Sequence, residues 1–160
     1  MNGRRILLTA DAVGGVWQYA TDLACALVPL GFTPTVALLG PDASPDQRAL
    51  LSHAEVTLVE TGLPLDWLCD GPEPVLRSGA VLAQFARDGG FDLVHCNMPT
   101  LAAEAEFAMP LVAVAHGCLA TWWAAARTEP LGAEYRWQQA LTQAGFARAD
   151  RVVAPSAAFA

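Results

Sequence analysis

The chain has 160 residues, the size of one ordinary domain, and 54% are hydrophobic while only 16% are charged, which predicts a globular core and argues against disorder. All nine basic residues are Arg, so there is no Lys for a phosphate-binding P-loop or for a Schiff base. The net charge of −7 disfavours duplex nucleic acid and anionic membrane surfaces as partners.

The cysteines are scattered through apolar stretches and form no CxxC pair: Cys25, Cys69, Cys96 and Cys118. This spacing predicts buried, reduced thiols in a cytosolic protein and neither disulfides nor a metal site. The first apolar run is too short for a signal peptide, and the longest, Leu111–Ala126, is too interrupted for a membrane span. We therefore expect a soluble, cytoplasmic domain.

The first third of the chain alternates strand and helix. Ile6–Thr9 is a short apolar run typical of a buried parallel strand, and Val16–Leu30 has apolar residues at helical spacing. Gly31 can end that helix in the left-handed conformation, and Thr35–Leu39 predicts the second strand. These elements form one βαβ unit.

The middle of the chain predicts two further helices. Ser44 before Pro45 is typical of a helix N-cap, so we predict a short helix to His53 and then a strand at Val56–Glu60. The Pro- and Gly-rich stretch Thr61–Pro74 predicts a long loop. A helix over Pro74–Arg87 follows, and Gly89–Gly90 ends it.

The last third contains three more predicted strands, Asp92–Cys96, Leu111–Ala115 and Arg151–Ala154. We predict a small helix between the first two strands, a loop carrying two Trp residues after His116, and a helix over Gly132–Arg148. Pro155–Ser156 indicates the start of another helix, with Ser156 as its N-cap. We therefore expect the chain to be a piece of a longer protein.

Six strands joined by short helical connections predict an α/β, doubly wound (Rossmann-like) parallel sheet, for which we expect the strand order 3-2-1-4-5-6. Ligands bind such sheets beyond the carboxyl ends of the strands, near the switch between strands 1 and 4. Three segments fall there: Ala10–Val16, Cys96–Thr100 and His116–Trp123.

Gly14 and Gly15 follow the first strand and open the first helix. Glycines there let backbone amides approach a ligand, and a helix N-terminus favours an anion such as a phosphate group. A tight strand-to-helix turn that binds nothing is the alternative. The three-glycine dinucleotide fingerprint is absent, and strand 2 ends without an acidic residue, so a nicotinamide cofactor is not expected.

Polar side chains in the three segments are the other candidates. Asp11 could accept hydrogen bonds from sugar hydroxyls or organise the turn before the helix. His116, at the tip of strand 5, could donate to a ligand oxygen or be structural. His95 and Asn97 share one face by alternation; Asn97 is nearer the crevice and could bind a hydroxyl, whereas we expect His95 to pack.

Trp122 and Trp123 could form an aromatic platform for sugar rings or for an apolar acceptor chain. Ordinary packing under the last helix is the alternative. The sequence contains no Gly-x-Ser-x-Gly elbow, no pair of carboxylates at catalytic spacing and no Asp-x-Asp metal motif.

Four stretches carry a resemblance to a known family: RILLTADAVGGVWQYATDLACALVPLGFTPTVALLG at 5–40, FDLVHCN at 91–97, PLVAVAHGCLATWW at 110–123 and ADRVVAPS at 149–156. Together they resemble the N-terminal domain of the GT-B-fold, family 4 retaining glycosyltransferases. The resemblance implies a two-domain enzyme with its active site between the halves, in which the second half binds most of a nucleotide-sugar donor. That C-terminal half, with the family's glutamate pair, is absent from this chain, so we expect the chain alone to be inactive.

By the same resemblance, the backbone amides of Gly14 and Gly15 contact the donor diphosphate. His116 lies beside the transferred sugar, and Asp11 lies near the acceptor or the reacting centre. The implied partners are a nucleotide-diphosphate sugar and a carbohydrate or lipid-linked acceptor, with no other cofactor and no metal. The alternatives are a GT-B-type nucleotide-sugar epimerase, a non-enzymatic sugar- or nucleotide-binding module, and a doubly wound domain with an unrelated ligand.

Overall fold

A computed structural model describes residues 3–117 and 119–157. Their strands are β1 (Arg4–Asp11), β2 (Phe32–Leu39), β3 (Thr57–Glu60), β4 (Leu93–Cys96), β5 (Leu111–Val114) and β6 (Arg151–Val153). All neighbouring strands pair in parallel, and the order is β3-β2-β1-β4-β5-β6. The predicted doubly wound sheet and its strand order are confirmed.

Helices cover both faces of the sheet: α1 (Gly15–Leu27), α2 (Pro45–His53), α3 (Pro72–Asp88), α4 (Leu119–Ala126) and α5 (Arg136–Arg148). On one face, Ile6 and Leu8 of β1 pack with buried residues of α1 and α2. On the other face, Leu7 packs with buried residues of α3 and with the partly buried Leu141 of α5. Successive β1 side chains thus enter two separate cores, because side chains alternate along a strand.

Local sequence explains where several helices begin and end. The Ser44 hydroxyl accepts a hydrogen bond from the Gln47 amide, and the Gln47 side chain accepts one from the Ser44 amide, which makes a complete capping box. After α1, a 3₁₀ turn over Val28–Leu30 contains Pro29 and closes at Gly31, whose φ of 84° is left-handed as predicted. The predicted helix Val16–Leu30 therefore ends as a regular α-helix at Leu27.

Two segments differ from their predictions in ways that matter for the site. β1 extends beyond Ile6–Thr9 to Asp11, so Asp11 ends a strand and does not lie in the loop. The segment Thr61–Pro74 is not all loop: a 3₁₀ helix forms over Asp66–Leu68, and α3 begins at Pro72. Proline is favoured in a first helical turn because its missing N–H would have no partner there.

The predicted loop after His116 is wrong over its Trp residues, because Trp122 and Trp123 lie in α4. The stretch is rich in Ala, the residue that most favours a helix. The small helix between β4 and β5 is a 3₁₀ helix over Pro99–Ala102, and the predicted helix Gly132–Arg148 is a 3₁₀ turn at Ala133–Tyr135 followed by α5. Strands β3, β4, β5 and β6 each differ from their predictions by one residue at an end, and β2 begins three residues earlier than predicted, at Phe32. Cys118 lies outside the described residues, and so does the helix predicted to start at Pro155–Ser156 beyond its first residues.

Candidate active site

A cavity of about 880 Å³ lies at the carboxyl ends of the central strands. Its walls come from the ends of β1, β2, β4 and β5, the 3₁₀ helices at 66–68 and 99–102, and α4 and α5. This is the switch point between β1 and β4, where doubly wound sheets bind ligands. Its volume suits a ligand of drug-like size.

The glycine turn lies at the rim of the cavity, between the lining residues Asp11 and Val16. Gly14 and Gly15 are exposed, and a Cβ added at either position would have no heavy atom within 4 Å. Gly14 has a φ of 77°, which favours glycine, and it caps α1 without a side-chain hydrogen bond. The Cα positions of this turn are therefore open to close approach, as an anion-binding turn requires.

Asp11 lines the cavity at the end of β1 and is only 4% exposed. The Val13 amide donates to Asp11 Oδ1 at 2.8 Å, so the carboxylate organises the turn before α1. Burial raises the pKa of Asp11, the Val13 bond lowers it, and the charge of Asp66 raises it further. Asp11 thus combines a turn-forming contact with a position in the cavity wall.

His116 and Asn97 lie together in the cavity wall, with His116 Nε2 2.7 Å from Asn97 Oδ1. Asn97 Nδ2 donates to the Thr9 carbonyl at 2.7 Å, and this bond fixes the orientation of the Asn97 amide. Because Asn97 Oδ1 can only accept, Nε2 of His116 carries a hydrogen. Burial lowers the pKa of His116, which favours the neutral ring. In this tautomer Nδ1 is a hydrogen-bond acceptor, whereas the sequence suggested a donor.

Tyr19 is a residue of this cluster that the sequence analysis missed. Its hydroxyl oxygen is 3.2 Å from His95 Nε2, and its ring meets the His116 ring edge-on with the centroids 4.8 Å apart. Burial, and then the charge of His116, lowers the pKa of His95 to about 4. Tyr19 lies four residues after Gly15, one helical turn along α1, and that spacing was the available signal.

The two Trp residues of α4 have different surroundings. Trp122 lines the cavity with 54% of its surface exposed. Trp123 is not among the described lining residues; its Nε1 donates to the Glu129 carbonyl at 2.8 Å and its ring lies against Tyr135. The two side chains therefore do not form one flat platform, and their ring planes are 73° apart.

The cavity lining also includes two polar residues that the sequence analysis did not single out, Asp66 and Gln138. Asp66 is held by the Thr100 hydroxyl, which donates to its Oδ2 at 2.7 Å, and Gln138 Nε2 donates to the Asp66 carbonyl at 3.0 Å. Burial raises the pKa of Asp66, and the hydrogen bonds from Thr100 and Trp67 lower it. No sequence signal marks these residues, because Asp66 lies in a segment predicted as a loop and Gln138 lies inside a helix.

Over residues 3–117 and 119–157, no group of three His, Cys, Asp or Glu side chains is arranged to hold a metal ion. The described part of the chain likewise has no helix both long and apolar enough to span a membrane. Three described cysteines, Cys25, Cys69 and Cys96, are free thiols, and burial raises the pKa of Cys96 to about 11.

The strand order and the cavity at its switch point define a Rossmann-like domain, the unit from which GT-B glycosyltransferases are built. The family model of Glycosyltransferase Family 4 matches residues 13–160. The chain therefore belongs to glycosyltransferase family 4, and the family predicted from its motifs is confirmed. No curated protein matches the chain.

Solved glycosyltransferases share this fold. A glycosyltransferase from Rickettsia africae ESF-5 has 19% identity and a TM-score of 0.59, over 98% of this chain and 38% of that one. LpCGTa, solved in complex with UDP, has 18% identity and a TM-score of 0.64, over 96% and 46%. The spinosyn forosaminyltransferase SpnP has 20% identity and a TM-score of 0.52, over 95% and 46%. The chain thus spans less than half the length of each of these structures.

Proposed function

We propose that this chain is the N-terminal, acceptor-side domain of a retaining glycosyltransferase, which moves a sugar from a nucleotide-diphosphate donor to a hydroxyl acceptor. A C-terminal donor-binding domain, absent from this chain, would complete the site, so the chain alone would be inactive. The observation that carries the proposal is the open glycine turn at the rim of a cavity that contains His116 and Asp11. The family match favours sugar transfer over epimerisation or binding alone.

The proposed role of the glycine turn is to stabilise the leaving diphosphate. The first-turn amides at Gly15 have no side-chain cap and no acidic neighbour within the turn. A helix N-terminus stabilises an anion by about 0.3–1 kcal/mol, and by up to ~2 kcal/mol when partly buried. Amides held in place by the helix need no reorganisation as the diphosphate departs. LpCGTa was solved with UDP, and a nucleotide diphosphate is the product that this transfer would leave.

The proposed role of His116 is to orient the transferred sugar. Asn97 holds Nε2 of the ring, so Nδ1 would accept a hydrogen bond from a sugar hydroxyl. Asp11, two strands away at the end of β1, would accept one from the acceptor hydroxyl. The raised pKa of Asp11 makes it a better hydrogen-bond acceptor than an exposed Asp would be.

The free thiols of Cys25 and Cys69 support a cytoplasmic location.

The experiment that tests this function uses the full-length natural protein. Incubation with a panel of UDP- and dTDP-sugars, with and without candidate acceptors, would be followed by measuring nucleotide-diphosphate release. NMR of the product gives the anomeric configuration, and we expect the configuration of the donor to be retained. A product of inverted configuration would contradict retention. An epimerised nucleotide sugar as the product would contradict sugar transfer and favour the epimerase alternative.

Gly15→Leu tests the glycine turn, because a side chain there meets open space and the backbone needs no positive φ. We expect native stability and a loss of transfer rate of about 5- to 30-fold, the effect of a ~1–2 kcal/mol anion site. Gly71→Leu is the matched control, since Gly71 lies at the N-cap of α3, also has open space around it and is extended at φ −175°. Unchanged kinetics in Gly15→Leu would leave the turn with a purely structural role.

A further inference from the structure

The His116 ring depends on its neighbours for a fixed orientation. The outer torsion of a His side chain has broad minima, so the ring turns easily unless other groups hold it. The hydrogen bond between His116 Nε2 and Asn97 Oδ1, at 2.7 Å, holds one nitrogen of the ring. The tilt of the ring plane about that bond is left to packing contacts.

Tyr19 of α1 makes such a contact. Its ring plane lies at 80° to that of His116, with the centroids 4.8 Å apart, which is the edge-to-face geometry that aromatic pairs favour. Tyr19 lies four residues after Gly15, about one helical turn from the start of α1. His116 is therefore contacted by Asn97, at the end of β4, and by a residue of the helix that begins at the glycine turn.

Tyr19 is itself held in place by His95. The Tyr19 hydroxyl oxygen lies 3.2 Å from His95 Nε2, and the two rings stack with their planes 23° apart. A Tyr hydroxyl can donate or accept, so this hydrogen bond forms with either neutral tautomer of His95. His95 is a buried residue of β4 and gives the Tyr19 ring a fixed support.

We propose that Tyr19 is a positioning residue for His116. Its ring keeps the His116 ring in the orientation that sugar binding requires, and its hydroxyl serves only to anchor Tyr19 to His95. This inference rests on the proposed function, in which His116 accepts a hydrogen bond from the transferred sugar, and it names the residue that aims the ring. Tyr19→Phe should therefore keep the His116 ring in place, and Tyr19→Leu should release it.

The first test follows the His rings of the chain at pH 7 by long-range ¹H–¹⁵N NMR, which reports the tautomer of each ring. We expect the wild type and Tyr19→Phe to show His116 with its hydrogen on Nε2. In Tyr19→Leu, the two ¹⁵N shifts should move towards the average of both tautomers, as the ring leaves Asn97. The His95 signals should shift in both variants, and those of the exposed His53 in neither. Unchanged His116 shifts in Tyr19→Leu would overturn the positioning role.

Tyr135→Leu is the matched control, because Tyr135 is the other Tyr of the chain and packs against Trp123. It should leave the His116 signals as they are in the wild type. Amide spectra show whether each variant is folded. If Tyr19→Leu does not fold, Tyr19→Met replaces it, because a flexible Met side chain fills irregular space more readily. The absence of nuclear Overhauser effects between the Tyr19 and His116 rings in the wild type would also overturn the proposal.

The second test is a double-mutant cycle in the full-length protein. We expect Tyr19→Leu to lower kcat/KM for transfer by about 3- to 10-fold, the effect of one aromatic pair, and Tyr19→Phe to stay within about twofold of the wild type. In a His116→Ala background, Tyr19→Leu should have no further effect, because a positioning residue acts only through the residue that it positions. An equal loss in both backgrounds would overturn the positioning role.

The failure of this inference is distinguishable from failure of the proposed function. A full-length protein that transfers no sugar, with a His116 ring that depends on Tyr19 in the NMR test, would refute only the transferase function. Active transfer with a His116 ring that is unaffected by Tyr19→Leu would refute only the positioning role.

Discussion

Acid should destabilise this domain through His95, which is only 8% exposed at the end of β4. Burial, and then the charge of His116, lowers the pKa of His95 to about 4. An unfolded chain binds this proton from about pH 6.5 downwards, while the folded chain binds it only near pH 4. The free energy of unfolding therefore falls as the pH drops from about 6.5 to 4. The linkage amounts to about 2 kcal/mol between pH 7 and pH 5, and about 3 kcal/mol by pH 4.

The variant that tests this reasoning is His95→Gln, because the Gln amide can still meet the Tyr19 hydroxyl but does not bind a proton. Urea unfolding, followed by Trp fluorescence at pH 7, 6 and 5, gives the free energy of unfolding for each protein. We expect the wild type to lose about 2 kcal/mol more than His95→Gln over this range.

The matched control is His53→Gln, which removes an exposed imidazole at the end of α2 and should keep the wild-type slope. His116 also has a pKa lowered by burial, so a smaller acid sensitivity should remain in His95→Gln. A slope in His95→Gln equal to that of the wild type would refute the assignment of acid sensitivity to His95.

Three further changes have expected outcomes in the same unfolding assay. Gly145→Ala should lower the free energy of unfolding by about 1–3 kcal/mol, because an added Cβ would clash with the Pro99 carbonyl where α5 meets the 3₁₀ helix at 99–102. An unchanged free energy of unfolding would show that the two segments move apart freely. Ser44→Ala should lower the free energy of unfolding by about 1 kcal/mol, because it removes the acceptor for the Gln47 amide. Equal stability of the variant and the wild type would show that the capping box does not stabilise the protein. Asp66→Asn should stabilise the protein at pH 7 and not below pH 3.8. Burial raises the pKa of Asp66 above its ordinary value of 3.8, so its stability contribution falls by up to about 1.4 kcal/mol for each pH unit between 3.8 and the folded pKa and then levels off. An unchanged stability difference between the wild type and the variant at the two pH values would contradict this.

Local patterns were sufficient to predict the strands and their order. Apolar runs such as Thr35–Leu39 match buried strands, and the alternation with helices restricts a parallel sheet to very few topologies. The same rule predicted where the cavity lies, beyond the ends of β1, β4 and β5, without any knowledge of side-chain contacts. Four motifs in order were enough to predict the family.

Pairwise contacts in the site required the tertiary structure. Asn97 and His116 are 19 residues apart, and they meet because β4 and β5 pair in parallel with Cys96 opposite Ala113. The tautomer of His116 depends on a third residue, Thr9, which fixes the Asn97 amide from another strand. Sequence spacing gives neither the register of two strands nor the orientation of an amide.

The sequence by itself determined the fold, the family and the edge of the sheet where the cavity lies, because periodicity and glycine positions act over a few neighbouring residues. Only the tertiary structure decided that Asp66 and Gln138 share a wall and that Trp123 is not part of the described lining. Burial decided the protonation of His95, since desolvation depends on everything packed around a group and not on its neighbours in sequence.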